Sequence, residues 1–137
     1  MAGYSGTPLV NKLGIKAGSR LLLVNQPEGF KKTLEPLPEE VTLVAPSGRE
    51  KLDVVLLFVL EQKELQKRFA RLAPRLQPAG GLWVCWPKKA SGVETDLSED
   101  VVRRVGLEAG LVDNKVCAVD QTWSGLRFVI RLIERTR

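Results

Sequence analysis

The sequence of 137 residues contains no histidine. Histidine is the commonest general base and the commonest metal ligand in proteins, so this sequence lacks the residue on which many catalytic and metal sites depend. A Ser-His-Asp triad and a Cys-His pair are excluded outright. The carboxylates show no metal-ligand spacing, and the two cysteines lie far apart in the sequence. The residue types therefore predict no metal ion, and no catalytic residue can be named.

Cysteine is scarce, and long apolar runs are missing. Cys85 and Cys117 each lie within an apolar run, which favours buried, reduced thiols and an intracellular protein. A disulfide between them is kept as an alternative for the case that their strands are adjacent. The longest apolar run, residues 54–60, is far shorter than the roughly 20 residues of a membrane helix. With no signal-peptide pattern at the N-terminus, we expect a soluble, cytoplasmic protein.

The composition is that of a globular protein. Hydrophobic residues make up 44% and charged residues 27%, which predicts a single packed domain over residues 1–137. The net charge of +5 is mild. We interpret it as a solvated basic surface, although it also favours anionic ligands. Nucleic-acid binding is the least favoured hypothesis, because no basic strand is interleaved with aromatic residues.

Apolar runs alternate with amphipathic segments along the chain. Helices are predicted from the Thr7-Pro8 pair to Leu13, around residues 30–37, over residues 65–76, and from Asp96 to about Gly110. Six strands are predicted at residues 19–25, 40–46, 52–60, 82–87, 114–120 and 126–134. The last two strands are predicted to form a hairpin. The pattern predicts an α/β, Rossmann-like, doubly wound and mostly parallel six-stranded sheet with an antiparallel C-terminal hairpin strand.

The order of elements resembles a class I methyltransferase with parts removed. Residues 13–25, LGIKAGSRLLLVN, are similar to the helix end and first strand of that fold. Residues 72–84, LAPRLQPAGGLWV, are similar to the entry to its fifth strand, and the final hairpin matches its reversed last strand. The resemblance implies a sheet order of 2-1-3-4-6-5 in this chain's own strand numbers.

The cofactor motifs of that superfamily are absent from the matching positions. The first strand is followed by NQPEGF rather than by a glycine-rich loop, and the second ends in VAPS without a carboxylate for ribose hydroxyls. The third ends in FVLEQ, without an Asp/Asn-Pro-Pro-aromatic motif. No cofactor is therefore predicted, and use of S-adenosylmethionine is kept as an alternative by fold analogy alone.

The whole chain also resembles the bacterial domain-of-unknown-function 3052 family. The matching segments are GYSGTPLVNKLGIK, the NQPEGF turn, GGLWVCWPKKASGVETDL and GLVDNKVCAVDQTWSGLRFVIR. This resemblance implies a small, single-domain cytoplasmic protein and carries no activity with it.

A ligand site is expected where four predicted strands end. In open α/β sheets ligands bind outside the carboxyl ends of the strands, where the strand order reverses. Lysines there would attract an anion, the serine would supply a hydroxyl, and the tryptophans and arginine would stack on a planar group. The predicted ligand-binding residues are Asn25, Glu28, Gly29, Trp86, Lys88, Lys89, Ser91, Trp123 and Arg127.

Structural roles compete with several of these assignments. Trp83 is expected in the core, and Trp86 is equally compatible with a lid over the sheet end. Asp96 is expected to cap the helix that follows it, and the basic face of residues 63–75 to be solvated.

Two main functions remain open on the sequence alone. The first is a non-catalytic domain that binds an anionic small molecule or a protein partner. The alternative is an enzyme, either a divergent S-adenosylmethionine-dependent methyltransferase or another transferase that clamps an anion with Lys88 or Lys89.

Overall fold

The computed structural model describes residues 7–135, which form one mixed sheet with helices on both faces. The strands are β1 (Arg20–Val24), β2 (Thr42–Leu43), β3 (Leu52–Phe58), β4 (Leu76–Pro87), β5 (Val112–Ala118) and β6 (Trp123–Val129). The α-helices are α1 (Leu9–Leu13), α2 (Phe30–Thr33), α3 (Gln62–Leu72) and α4 (Glu99–Glu108). Short 3-10 turns occupy Ala73–Arg75, Lys89–Ser91 and Leu132–Glu134.

The sheet order is β2-β1-β3-β4-β6-β5, as predicted. Strands β2, β1, β3 and β4 run parallel to one another, whereas β6 runs antiparallel to both β4 and β5. The predicted fold class, a mostly parallel Rossmann-like sheet with an antiparallel C-terminal pair, is confirmed.

Two hydrophobic clusters cover the two faces of the sheet. On one face the strands pack against α3 and α4, through residues such as Phe69 and Val102. On the other face they pack against α1 and α2, through residues such as Leu13 and Phe30. Alternate residues of β3 enter opposite clusters, so this strand is buried on both sides. Its nearly continuous apolar sequence follows from that double burial.

Several predicted bounds differ from the structure, among them β2, which spans only Thr42–Leu43, and α2, which ends at Thr33. Two of the differences have identifiable reasons. The apolar stripe of residues 65–76 was predicted to form one helix, but α3 ends at Leu72. Pro74 cannot continue the helix, and Leu76 instead begins β4. The last strand begins at Trp123 rather than at residue 126, since the Asp120 carboxylate accepts the N–H groups of residues 122 and 123 and closes the hairpin there.

The cysteines do not lie on adjacent strands. Strand β6 separates them, and Cys85 and Cys117 both pair with Gly125. Two strand spacings amount to roughly 9–10 Å, beyond the roughly 7 Å that a disulfide can bridge. Both thiols are free, and burial raises the pKa of each above its ordinary value.

The helices of the described residues are short. The longest is α3, with 11 residues, and within residues 7–135 none has the length and apolar character needed to cross a bilayer.

Gly106 provides a test of how α4 packs on the sheet. A Cβ atom there would lie 2.0 Å from Cε2 of Phe128, a buried ring that also packs edge-on against Phe69. Alanine at an ordinary helix position stabilises by roughly 1 kcal/mol relative to glycine. Gly106→Ala is instead expected to lower the free energy of unfolding by about 1–3 kcal/mol, because the core is overpacked.

Urea unfolding measures this effect. The exposed Arg104→Ala change in the same helix is the control and should leave the unfolding midpoint nearly unchanged. A stabilised Gly106→Ala variant would contradict the described contact between α4 and β6.

Candidate functional site

The carboxyl ends of β1, β3 and β4 lie at one edge of the sheet, together with the start of β6. Val24 is paired with Leu57, and Pro87 at the end of β4 is paired with Trp123 at the start of β6. The Lys88 N–H also donates to the Thr122 carbonyl at 2.8 Å. The loops that carry Asn25, Lys88 and Trp123 therefore share an edge, which was the central geometric expectation.

Asn25 connects the end of β1 to the neighbouring elements. Its backbone is left-handed, with φ of 59°, a conformation that asparagine tolerates better than most residues. The side-chain Nδ2 donates to the Phe58 carbonyl at 3.3 Å and to Glu64 Oε2 at 3.1 Å. Glu28 and Gly29 follow in an exposed turn, where Gly29 has φ of 82° and precedes α2.

The loop after β4 is organised by its own hydrogen bonds. The Ser91 hydroxyl donates to the Lys88 carbonyl at 2.7 Å and accepts the Val93 N–H at 3.1 Å. Gly92 closes this turn with φ of 75°. Ser91 is thus engaged within the loop, while Lys89 is exposed and Lys88 is half-buried.

The tryptophans are placed mainly by packing. Trp83 is fully buried, as predicted, and its Nε1 donates to the Leu13 carbonyl at 3.0 Å. Trp86 is only 6% exposed and belongs to the cluster under α3 and α4, so its ring is not available for stacking on a ligand. Trp123 is half-buried, with its ring edge-on to Phe58 at 5.1 Å. These contacts favour structural roles for Trp86 and Trp123.

Arg127 does not join the other predicted residues. Its position on β6 pairs with Trp83, and its side chain reaches back over Gly81 toward the amino ends of the parallel strands. There it lines a cavity with Gly18 and Asp53. The prediction that Arg127 stands beside Lys88 is wrong, because side chains lean along a strand in a direction that sequence spacing does not reveal.

Asp96 caps a different helix from the one expected. Its Oδ1 accepts the N–H of Gln62, the first residue of α3, at 2.8 Å. The helix that follows is capped by Ser98, whose Oγ accepts the Val101 N–H at 3.3 Å. Thr95 adds a hydrogen bond from its hydroxyl to the Leu60 carbonyl, so the loop after β4 is tied to the end of β3.

Two cavities at this edge run beside α3, next to a third of about 690 Å³ that the acidic residues Glu61, Glu64, Glu94 and Asp96 line. One cavity, of about 620 Å³, has an apolar floor of Val24, Pro46 and Leu72. A second, of about 380 Å³, shares Val24, Pro46 and Arg68 with it and adds Asn25 and Lys31. We call these two cavities together the α3 cleft.

Basic side chains dominate the walls of the α3 cleft. Lys63, Lys67 and Arg71 follow one another at steps of four, so they form a row on one side of α3. None of the three has a hydrogen bond or ion pair with another described residue, whereas Arg68 pairs with Glu64 at 2.9 Å. This face was expected to be solvated. The four-residue spacing of its basic residues was the available signal for a cleft wall.

No protein-family model and no curated protein matches the sequence. The fold is similar to that of solved methyltransferases. For magnesium protoporphyrin IX methyltransferase from Synechocystis PCC 6803 with bound SAM, the TM-score is 0.61 at 12% identity, over 90% of this chain and 74% of that one. For a SAM-dependent methyltransferase from Aquifex aeolicus, it is 0.60 at 19% identity, over 90% and 88%.

A third similar structure is Aeropyrum pernix fibrillarin with natively bound S-adenosyl-L-methionine. Its TM-score is 0.54 at 16% identity, and the match covers 93% of this chain and 70% of that one. The chain thus has a methyltransferase-like fold, and identities this low concern the fold alone.

Asp96→Ala tests the cap between the loop after β4 and α3. Losing the carboxylate leaves the Gln62 N–H without its partner, so the free energy of unfolding should fall by about 1 kcal/mol. Hydrogen exchange at the Gln62 amide should accelerate in the same variant. Glu94→Ala, an exposed change in the same loop, should alter neither quantity. Equal effects of the two changes would contradict this assignment.

Proposed function

We propose that this protein is a methyltransferase-fold domain that binds an anionic small molecule in the α3 cleft. Support comes from the row of basic side chains that face an apolar floor at the carboxyl edge of the sheet. In folds of this class, that edge is where ligands bind. The first ligand class to consider is nevertheless S-adenosylmethionine, because the similar structures carry it or depend on it by name.

The residues of the cleft do not fit S-adenosylmethionine well. At neutral pH that molecule carries sulfonium and ammonium charges against a single carboxylate, so it is a net cation. The two cavities are lined by five basic residues and only two acidic ones, Glu61 and Glu64. Glu64 already accepts hydrogen bonds from Asn25 and Arg68. The segment after β2, residues 44–47, carries no carboxylate to hold ribose hydroxyls. We therefore derive no methyl-transfer step.

An anion suits the same lining. Lys67 and Arg71 stand one helical turn apart with no intramolecular partner among the described residues, so a phosphate or carboxylate would not have to break an existing ion pair. Val24 and Pro46 offer apolar contact to the remainder of the molecule. The feature that carries the proposal is this pairing of an unpaired cationic wall with an apolar floor.

A second candidate, S-adenosylmethionine-dependent methyl transfer, is favoured by the fold likeness. The comparisons support it more than they support a domain without catalysis, and the same ligand series tests both candidates.

Binding can be measured by thermal shift and calorimetry with ATP, inorganic pyrophosphate and S-adenosylmethionine. We expect the phosphate compounds to stabilise the protein and S-adenosylmethionine to have little effect. Lys67→Ala with Arg71→Ala should weaken phosphate binding by tenfold or more, since a hydrogen bond to a charged group contributes about 1.5–3 kcal/mol.

Lys88→Ala with Lys89→Ala is the matched control. It removes the same charge from a loop at the same edge that does not line the α3 cleft, so binding should change little. If the control weakens binding as much as the cleft variant, the lysine loop is the site instead. If only S-adenosylmethionine stabilises the protein, the methyltransferase candidate replaces the anion proposal.

A further inference from the structure

A second cluster of polar side chains lies at the opposite edge of the sheet. Arg127 lines a cavity of about 420 Å³ there, beside Lys16, Ser19 and Asp53. Its guanidinium is half-buried and has no hydrogen bond or ion pair with any described residue. Its nitrogens stay accessible to solvent, so the N–H donors of the guanidinium are open to a ligand.

The backbone of β4 is shaped to receive this side chain. A Cβ atom at Gly81 would lie 2.3 Å from Nε and 2.7 Å from Cζ of Arg127, so a larger residue there would displace the guanidinium from its present position. At Gly80 a Cβ atom would lie 2.7 Å from the Leu52 carbonyl oxygen. Gly81 thus lets the arginine lie against the strand while its side chain lines the cavity.

The surroundings do not neutralise the charge of Arg127. Burial lowers the pKa of its guanidinium, and the positive charge of Arg135 lowers that pKa further. Asp53 is the acidic residue of the cavity, and its Oδ2 accepts the Arg20 N–H at 2.8 Å. Lys16 adds another positive charge to the lining. The cavity therefore holds more positive than negative charge, with guanidinium donors that no described residue occupies.

We propose that this cavity is a second binding site, which takes an oxyanion such as the phosphate or carboxylate group of a small molecule. The guanidinium of Arg127 presents two parallel donors to the anion, and Lys16 contributes charge at the cavity rim. The site lies at the amino edge of the parallel strands and is independent of the α3 cleft.

Amide chemical shifts provide a direct test. Sodium phosphate, sodium sulfate and sodium acetate are titrated separately into the full chain, against sodium chloride at matched ionic strength. Saturable shifts are expected at the amides of Gly18, Gly80 and Gly81. The apparent Kd values of phosphate, sulfate and acetate then show which oxyanion the cavity prefers. Chloride should give no saturable change. Absence of saturation with all three oxyanions overturns the proposal.

Arg127→Gln separates binding from folding. Because no intramolecular partner is lost, the melting temperature in anion-free buffer should not fall, and the apparent Kd should rise at least tenfold. Lys16→Ala should weaken binding by a smaller factor. A marked drop in melting temperature for Arg127→Gln, or unchanged binding, overturns the proposal.

The α3 cleft variant shows whether the two sites are separate. Lys67→Ala with Arg71→Ala should leave the shifts at Gly81 unchanged, whatever it does to nucleotide binding. Loss of those shifts in the cleft variant would overturn the assignment to the Arg127 cavity.

Discussion

The burial of β3 on both faces is the constraint on which the rest of the structure depends. Its residues pair with β1 on one side and β4 on the other, and their side chains alternate between the two hydrophobic clusters. A one-residue slip would exchange the two sets of side chains, so the register is strongly specified. That register fixes which strand ends meet at each edge. The placement of Asn25 near the Phe58 carbonyl follows from it.

The coarse architecture was predictable because it depends on pattern. Continuous apolar runs indicate parallel strands buried on both faces, and the closing turn at residues 121–125 indicates the reversed strand. Directions of side chains were not predictable in the same way. Trp83 and Trp86 point to opposite faces, but helices cover both faces, so both rings are buried. A strand with one solvated face would have left one of them exposed.

The polar loop after β4 illustrates how a structural network resembles a ligand site in sequence. Lysines and hydroxyl residues followed by the N-terminus of a helix are what an anion site requires. Here Thr95 and Asp96 instead satisfy the Leu60 carbonyl and the first N–H of α3, and Ser98 satisfies an N–H of α4. The sequence shows that these donors and acceptors exist. Only the tertiary structure shows that the backbone already uses them.

Lys67 and Arg71 were expected to be solvated and Arg127 to lie at the carboxyl edge, yet in their actual positions these residues are the better site candidates. A side chain that closes a loop or caps a helix has no donor left for a ligand, whereas Lys67, Arg71 and Arg127 have no such partner among the described residues. At 12–19% identity, the similarity of fold extends to the backbone that forms the carboxyl edge of the sheet. It does not carry over the side chains that contact a ligand. Since charge on the cleft wall selects between cationic and anionic molecules, a methyltransferase-like sheet is compatible with a ligand of the opposite net charge.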